Sequence, residues 1–127
     1  MTVPTTGEAR VLDETKPLYI AVAEQIEDGI LDGTHPEDAP VPSTNELAAF
    51  LRINPATAGK GLNLLADAGV LVKRRGVGMF VAPGAIGRLR QRRRDDFARA
   101  YLVPLLREAA HLGIEPRELT EMMEALQ

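Results

Sequence analysis

Residues Pro42–Val81, PSTNELAAFLRINPATAGKGLNLLADAGVLVKRRGVGMFV, decide the fold. Ser43 followed by Glu46 three positions later forms a capping box, in which each residue satisfies an orphan amide of the other. Leu47, Ala48 and Leu51 then fall on one helical face. Asn54-Pro55 restarts the pattern, since Asn caps well and Pro at the first helical position gives up an amide that has no partner there. A second helix therefore runs from about Pro55, with Ala58, Leu62 and Leu65 facing inward, and stops at Gly69. Beyond it, Val70–Lys73 and Met79–Val81 are β-prone, and Arg75-Gly76-Val77-Gly78 can turn between them. Two short helices around a tight corner, followed by a β-ribbon, make a winged helix-turn-helix.

From these residues the chain is identified as resembling the DNA-binding domain of GntR-family transcriptional regulators, over Leu18 to Pro83. PLYIAVAEQIEDGILDG resembles that family's first helix, PSTNELA its second, INPATAGKGLNLLADAGVL its recognition helix and RRGVGMFV its wing. The INPAT start and the short remaining tail look most like the YtrA-type subfamily. The family usually carries Arg where this chain has Asn45, and Asn cannot charge-pair a phosphate.

Composition bounds the function. At 127 residues the chain allows one domain with a core, plus an appendage. It has no cysteine, which excludes disulfides and thiolate metal sites. The start lacks a secretory pattern and no stretch approaches a membrane span, so the expectation is a cytoplasmic protein without a membrane partner. The net charge is −3, but it is unevenly spread. Residues 1–51 balance at −8, 52–94 at +9 and 95–127 at −4. The cations gather on the second helix, the ribbon and the segment after it, which is the footprint of a phosphate binder.

The flanking segments complete a mainly α fold with a small β-hairpin. Residues 1–15 are polar and aperiodic and read as a mobile arm. A helix opening at Pro17 and ending at Gly33 carries Leu18, Val22, Ile26 and Ile30 as one apolar stripe, and residues 34–42 read as a proline-rich loop. The winged domain thus spans 16–83. Residues 84–127 form a helical tail, with a long helix from about Ala85 to Leu112 that Pro104 should kink or break. Pro116 starts the last helix, where an Ile114–Leu119 staple can form. Phe97, Tyr101, Leu102, Leu105, Leu106 and Leu112 are apolar on the first tail helix, and Leu119, Met122, Met123 and Leu126 on the second. About 40 residues cannot enclose a core, so these faces need a partner. Either they pack on the same subunit, from which the long helix projects away, or a second copy covers them. The homodimer is the expectation, and it also suits reading of inverted half-sites.

The expected partner is double-stranded operator DNA, with no cofactor and no metal. Asn54, Pro55, Ala56, Thr57 and Lys60 open the recognition helix, with Arg52 at the corner before it. Ala56 and the Thr57 methyl suit a thymine methyl, and Asn54 serves equally as cap and as contact. Ser43, Thr44 and Asn45 open the preceding helix, whose positive end can hold a phosphate. Lys73, Arg74 and Arg75 charge the wing, while Gly76, Val77 and Gly78 form its tip. The Arg88–Arg94 run reads equally as flanking phosphate contacts or a solvated face. Gly59 and Gly61 each cost a helix about 1 kcal/mol, which reads equally as close approach to DNA or to a neighbouring helix and as plain tolerance.

The function read from this is a sequence-specific regulator that represses by occupying promoter DNA. The alternative is a winged-helix interaction module docking an acidic protein through its basic face. An enzyme fits poorly, because His35 and His111 stand 76 positions apart and Ser43 has no adjacent base. A small-molecule effector, if used, would sit at the dimer interface or between tail and winged domain; the sequence does not identify one.

Overall fold

The computed structural model describes Leu12 and residues 15–127. Apart from Leu12 and Thr15, the expected N-terminal arm lies outside the described residues. Helices α1 (Leu18–Leu31), α2 (Thr44–Leu51) and α3 (Pro55–Asp67) precede strands β1 (Leu71–Arg74) and β2 (Gly78–Val81). Three further helices follow: α4 (Ala85–Phe97), α5 (Val103–His111) and α6 (Pro116–Ala125). The backbone divides into two compact units, Met1–Arg90 and Gln91–Gln127.

In the first unit, α1, α2 and α3 close over one core. Val22, Ile26 and Ile30 of α1 meet Leu47 and Ala48 of α2 and Ala58, Leu62 and Leu65 of α3. Leu71, Val81 and Leu89 seal its lower side, and Leu12 packs against it. Leu18 belongs to the expected stripe by spacing, yet it is 43% exposed. An i, i+4 repeat drifts around a 3.6-residue helix, and at the first turn it has left the core. Pro17 stands at the N-cap position rather than inside the first turn, without a side-chain cap.

The two glycines of α3 differ in kind. A Cβ on Gly61 would lie 2.9 Å from the Tyr19 carbonyl oxygen and 2.9 Å from Val22 Cγ1. Helix α1 therefore crosses α3 at a distance only Gly permits there. A Cβ on Gly59 would meet Thr44 Cγ2 at 3.5 Å, an ordinary contact.

The segment read as a proline-rich loop carries more order than its composition predicts. Asp38 N–H donates to the Val81 carbonyl, Val81 N–H to Ala39, and Val41 N–H to Met79. Pro40 pairs with Phe80, so this segment lines the free edge of β2. Pro tolerates that position because an edge strand leaves alternate amides unpaired. Just before it, the Glu37 carboxylate accepts from Gly84 N–H at 2.7 Å and from Ile86 N–H at 3.3 Å, capping the start of α4. A charge-assisted cap of this kind satisfies amides that α4 cannot satisfy itself.

The His35 ring lies over Gly29, and the His35 backbone N–H donates to the Gly29 carbonyl at 2.9 Å. Burial lowers the imidazole pKa below 6.5, partly opposed by Asp32. A base with a lowered folded-state pKa lets the unfolded chain bind its proton first. Its contribution is complete above pH 6.5, declines as pH falls through that value, and levels off below the folded pKa. Thermal melts between pH 7.5 and 5.5 should show that decline for the native chain and a shallower one for His35→Gln.

In the second unit, Pro104 interrupts the tail helix without ending it. Residues Ala98–Leu102 wind as a π-helical turn, and α5 begins at Val103 with Pro104 in its first turn. Val103 N–H donates to Ala98, five residues back. Widening the turn accommodates a proline that has no N–H to offer, so the kink or break expected from sequence becomes a π-bulge. Gly113 takes a left-handed φ of 68° and Ile114 N–H returns to Ala109 at 2.9 Å, closing α5. Ala109 is buried; Phe97, Tyr101, Leu106, Leu112 and Leu126 are more than half exposed. Among the described residues, no helix is long and apolar enough to cross a membrane.

Candidate nucleic-acid interface

Local chemistry fixes the first wall of the site. Ser43 Oγ accepts from Glu46 N–H at 3.1 Å, and Glu46 Oε1 accepts from Ser43 N–H at 3.0 Å. The Ser43 amide, and then its hydroxyl, hold the Glu46 carboxyl below its usual range, so the box stays charged and closed. Two of the four orphan donors of α2 are thereby used. The amides of Thr44 and Asn45 are the donors of that turn which the box leaves out.

The corner to α3 is three residues long. Arg52 closes α2 in the left-handed region, at φ 57°. Ile53 N–H reaches back to Ala48 at 3.0 Å, and Asn54 Oδ1 caps α3 by accepting from Ala56 N–H at 2.8 Å. A left-handed arginine costs roughly 1–2 kcal/mol that glycine would avoid. An exposed cation held at that cost belongs to the basic surface rather than to the core. Arg52→Gly should keep or raise the melting temperature while weakening duplex binding in an anisotropy titration.

The second wall is the β-ribbon. Its register pairs Leu71 with Val81, Val72 with Phe80, Lys73 with Met79 and Arg74 with Gly78. Alternation then sets Lys73 on the face of Leu71, Met79 and Val81, which looks to the helices, and Arg74 on the opposite face. The Arg74 guanidinium lies over the Phe80 ring, its Cζ 4.1 Å from the ring centre, a cation–π contact. Arg75, Gly76 and Val77 form the tip, with Val77 N–H donating to Arg74 at 2.9 Å. Gly76 and Gly78 take φ values of 77° and 129°, which the reversal requires.

Between the walls lies an open groove of about 870 Å³. Ser43, Thr44 and Asn45 line one side, and Lys73, Arg74, Arg75, Gly76, Val77 and Gly78 the other. Its lining omits Arg52, Asn54, Pro55, Ala56, Thr57 and Lys60. Lys60 has its Nζ 4.1 Å from the Tyr19 ring centre instead. The groove floor holds Leu62 and Asn63, and Asn63 is a polar residue that sequence reasoning passed over. The signal was present: Asn63 follows Ala56 by seven positions and shares its exposed stripe.

The Arg88–Arg94 run does not act as a unit. Arg88 donates to the Gly69 carbonyl at 2.7 Å and to Pro83 at 3.2 Å, tying the end of α3 to the start of α4. That gives Arg88 a structural role.

These elements match known regulators. The family model for bacterial regulatory proteins of the gntR family matches residues 18–81. The uncharacterized HTH-type transcriptional regulator YhcF of Bacillus subtilis is 26% identical over 107 residues, covering 84% of this chain and 87% of that protein. A GntR family transcriptional regulator from Listeria monocytogenes has the same fold, with a TM-score of 0.71 at 24% identity over 91% of this chain and 99% of that one. The DNA-binding domain of AraR, solved in complex with operator ORR3, is 29% identical with a TM-score of 0.50, covering 65% of this chain and 93% of that chain. The chain belongs to the GntR family of bacterial regulatory proteins and is a DNA-binding transcriptional regulator, not an enzyme.

Proposed function

We propose that the protein is a cytoplasmic repressor of the YtrA type that occupies an inverted-repeat operator as a homodimer. The observation that carries this reading is the groove, which gathers the amide end of α2 and the three wing cations around one open channel. The winged domain, 16–83, supplies the contacts. The Thr44 and Asn45 amides with Lys73, Arg74 and Arg75 hold phosphates, and Asn54, Ala56 and Thr57 lead α3 into the major groove. Lys60, steadied on Tyr19, holds the backbone outside the groove.

The tail, 84–127, pairs two such readers. Exposed Phe97, Tyr101, Leu105, Leu106 and Leu112 with Met122, Met123 and Leu126 form an apolar surface that water penalises and a two-fold partner would cover. A dimer seated across a promoter represses by bulk alone.

Sedimentation with and without duplex tests both parts. A two-fold species that protects two half-sites one helical turn apart, with affinity falling steeply in salt, is the expected result. A monomer at micromolar concentration would sink the dimer. Retention on an acidic protein together with a flat salt response on duplex would instead favour the interaction module.

A further inference from the structure

One cation of the groove differs chemically from the other two. Arg74 and Arg75 stay charged and do not act as nucleophiles, whereas a lysine ε-amine can be acylated and then carries no charge. The chain has three lysines. Lys16 is tied to the Glu24 carboxylate at 2.7 and 2.8 Å, and Lys60 has its ammonium over the Tyr19 ring. Lys73 is exposed, lines the groove and, among the described residues, makes neither kind of contact.

The surroundings of Lys73 suit an anion. The ribbon register sets its side chain on the face that looks to the helices. Across the groove stands the amide end of α2, and Arg74 and Arg75 adjoin Lys73 on its own wall. Amides and guanidinium groups of this kind hold phosphate. An acyl phosphate carries an electrophilic carbonyl carbon one oxygen away from its phosphate. A site that holds the phosphate therefore brings that carbon to a neighbouring amine.

We infer that the groove takes an acyl phosphate and directs its acyl group to Lys73, and that this acylation loosens the protein from DNA. Lys73 Nζ attacks the carbonyl carbon, and the N–C bond forms as the C–O bond to phosphate breaks. Hydrogen phosphate leaves with one of the two protons that the ammonium gives up, and the other goes to water. No group is oxidised or reduced. The product has one cation fewer on each wing. Only the loosening rests on the DNA-binding reading of the groove; the acylation does not.

The test treats the full chain with acetyl phosphate and follows each lysine by mass spectrometry. A parallel reaction uses a donor without phosphate, the N-hydroxysuccinimide ester of acetate, which reports exposure alone. Relative to that ester, acetyl phosphate should favour Lys73 over Lys16 and Lys60 by about tenfold or more, the enrichment a cationic cleft gives an anion. Excess inorganic phosphate or duplex should abolish the difference. Protein acylated at Lys73 should lose about 0.9 per wing from the slope of log affinity against log salt. Lys73→Arg, treated in the same way, should keep its slope. The same preference with both donors would overturn the inference, because the groove would then contribute only exposure. So would selective acylation that leaves the slope native. Failure to bind any duplex in a salt-dependent way would defeat the DNA-binding reading and the loosening with it, while the donor comparison, made without DNA, still decides the site.

Discussion

Gly61→Ala should destabilise the protein, and Gly59→Ala, two residues away on the same helix, should stabilise it. Alanine improves a helix interior by about 1 kcal/mol over glycine at either position. At Gly59 that gain stands alone, since the added Cβ meets Thr44 at 3.5 Å. At Gly61 the Cβ lands 2.9 Å from the backbone oxygen of Tyr19 and 2.9 Å from Val22 Cγ1. The backbone oxygen cannot rotate away, so α1 and α3 must part. Overpacking of this kind costs about 1–3 kcal/mol, and two further methyls in Gly61→Val should exceed 3 kcal/mol. In a winged domain of this size each kcal/mol moves the melting temperature by about 4–8 °C. Calorimetry should therefore separate the two alanine variants in opposite directions. A rise for both would mean that the α1–α3 crossing yields without cost. Because Lys60 sits next to Gly61 and rests on Tyr19, a parted crossing should also weaken duplex binding.

The contrast between these glycines marks how far the sequence could be read. Whatever is set by neighbours within four residues was legible: the Ser43–Glu46 box, the Asn54 cap before Pro55, the left-handed stop at Gly69 and the glycine-flanked ribbon tip. Each of those is a local competition for backbone hydrogen bonds, and residue type decides it. The α1–α3 contact at Gly61 depends on a helix some 40 residues earlier, so spacing could not distinguish it from Gly59. The Glu37 cap on α4 spans 47 residues, and the Ala39–Val41 pairing to β2 spans a similar distance. Neither leaves a local pattern. Charge mapping found the basic surface, but total positive charge could not tell that Arg88 is engaged with carbonyls while the wing cations line the groove. At the site, the omission of Asn63 came from weighting the helix start, where helix-turn-helix proteins make most base contacts, over the stripe that continues two turns further.

Removing the wing charge should have the largest effect on DNA affinity. Lys73→Ala, Arg74→Ala and Arg75→Ala together delete three cations from one wall of the groove. Each phosphate neutralised contributes about 0.9 to the slope of log affinity against log salt. Three contacts per wing therefore remove about 2.7 from that slope, and by the same relation about 500-fold in affinity at 0.1 M salt. A dimer engaging both wings should lose about twice the slope. Stability should change little, since the residues are exposed and the Arg74–Phe80 contact is worth only about 0.5–1 kcal/mol at the surface. Arg74→Lys separates the two roles of that residue: charge survives, so the slope stays near native, while the guanidinium and its directed N–H groups are lost. Anisotropy titrations on one duplex between 0.05 and about 0.3 M salt read all of this directly. A triple variant with native slope would place the phosphates elsewhere on the basic surface. In that case the groove between α2 and the ribbon would not be the DNA channel.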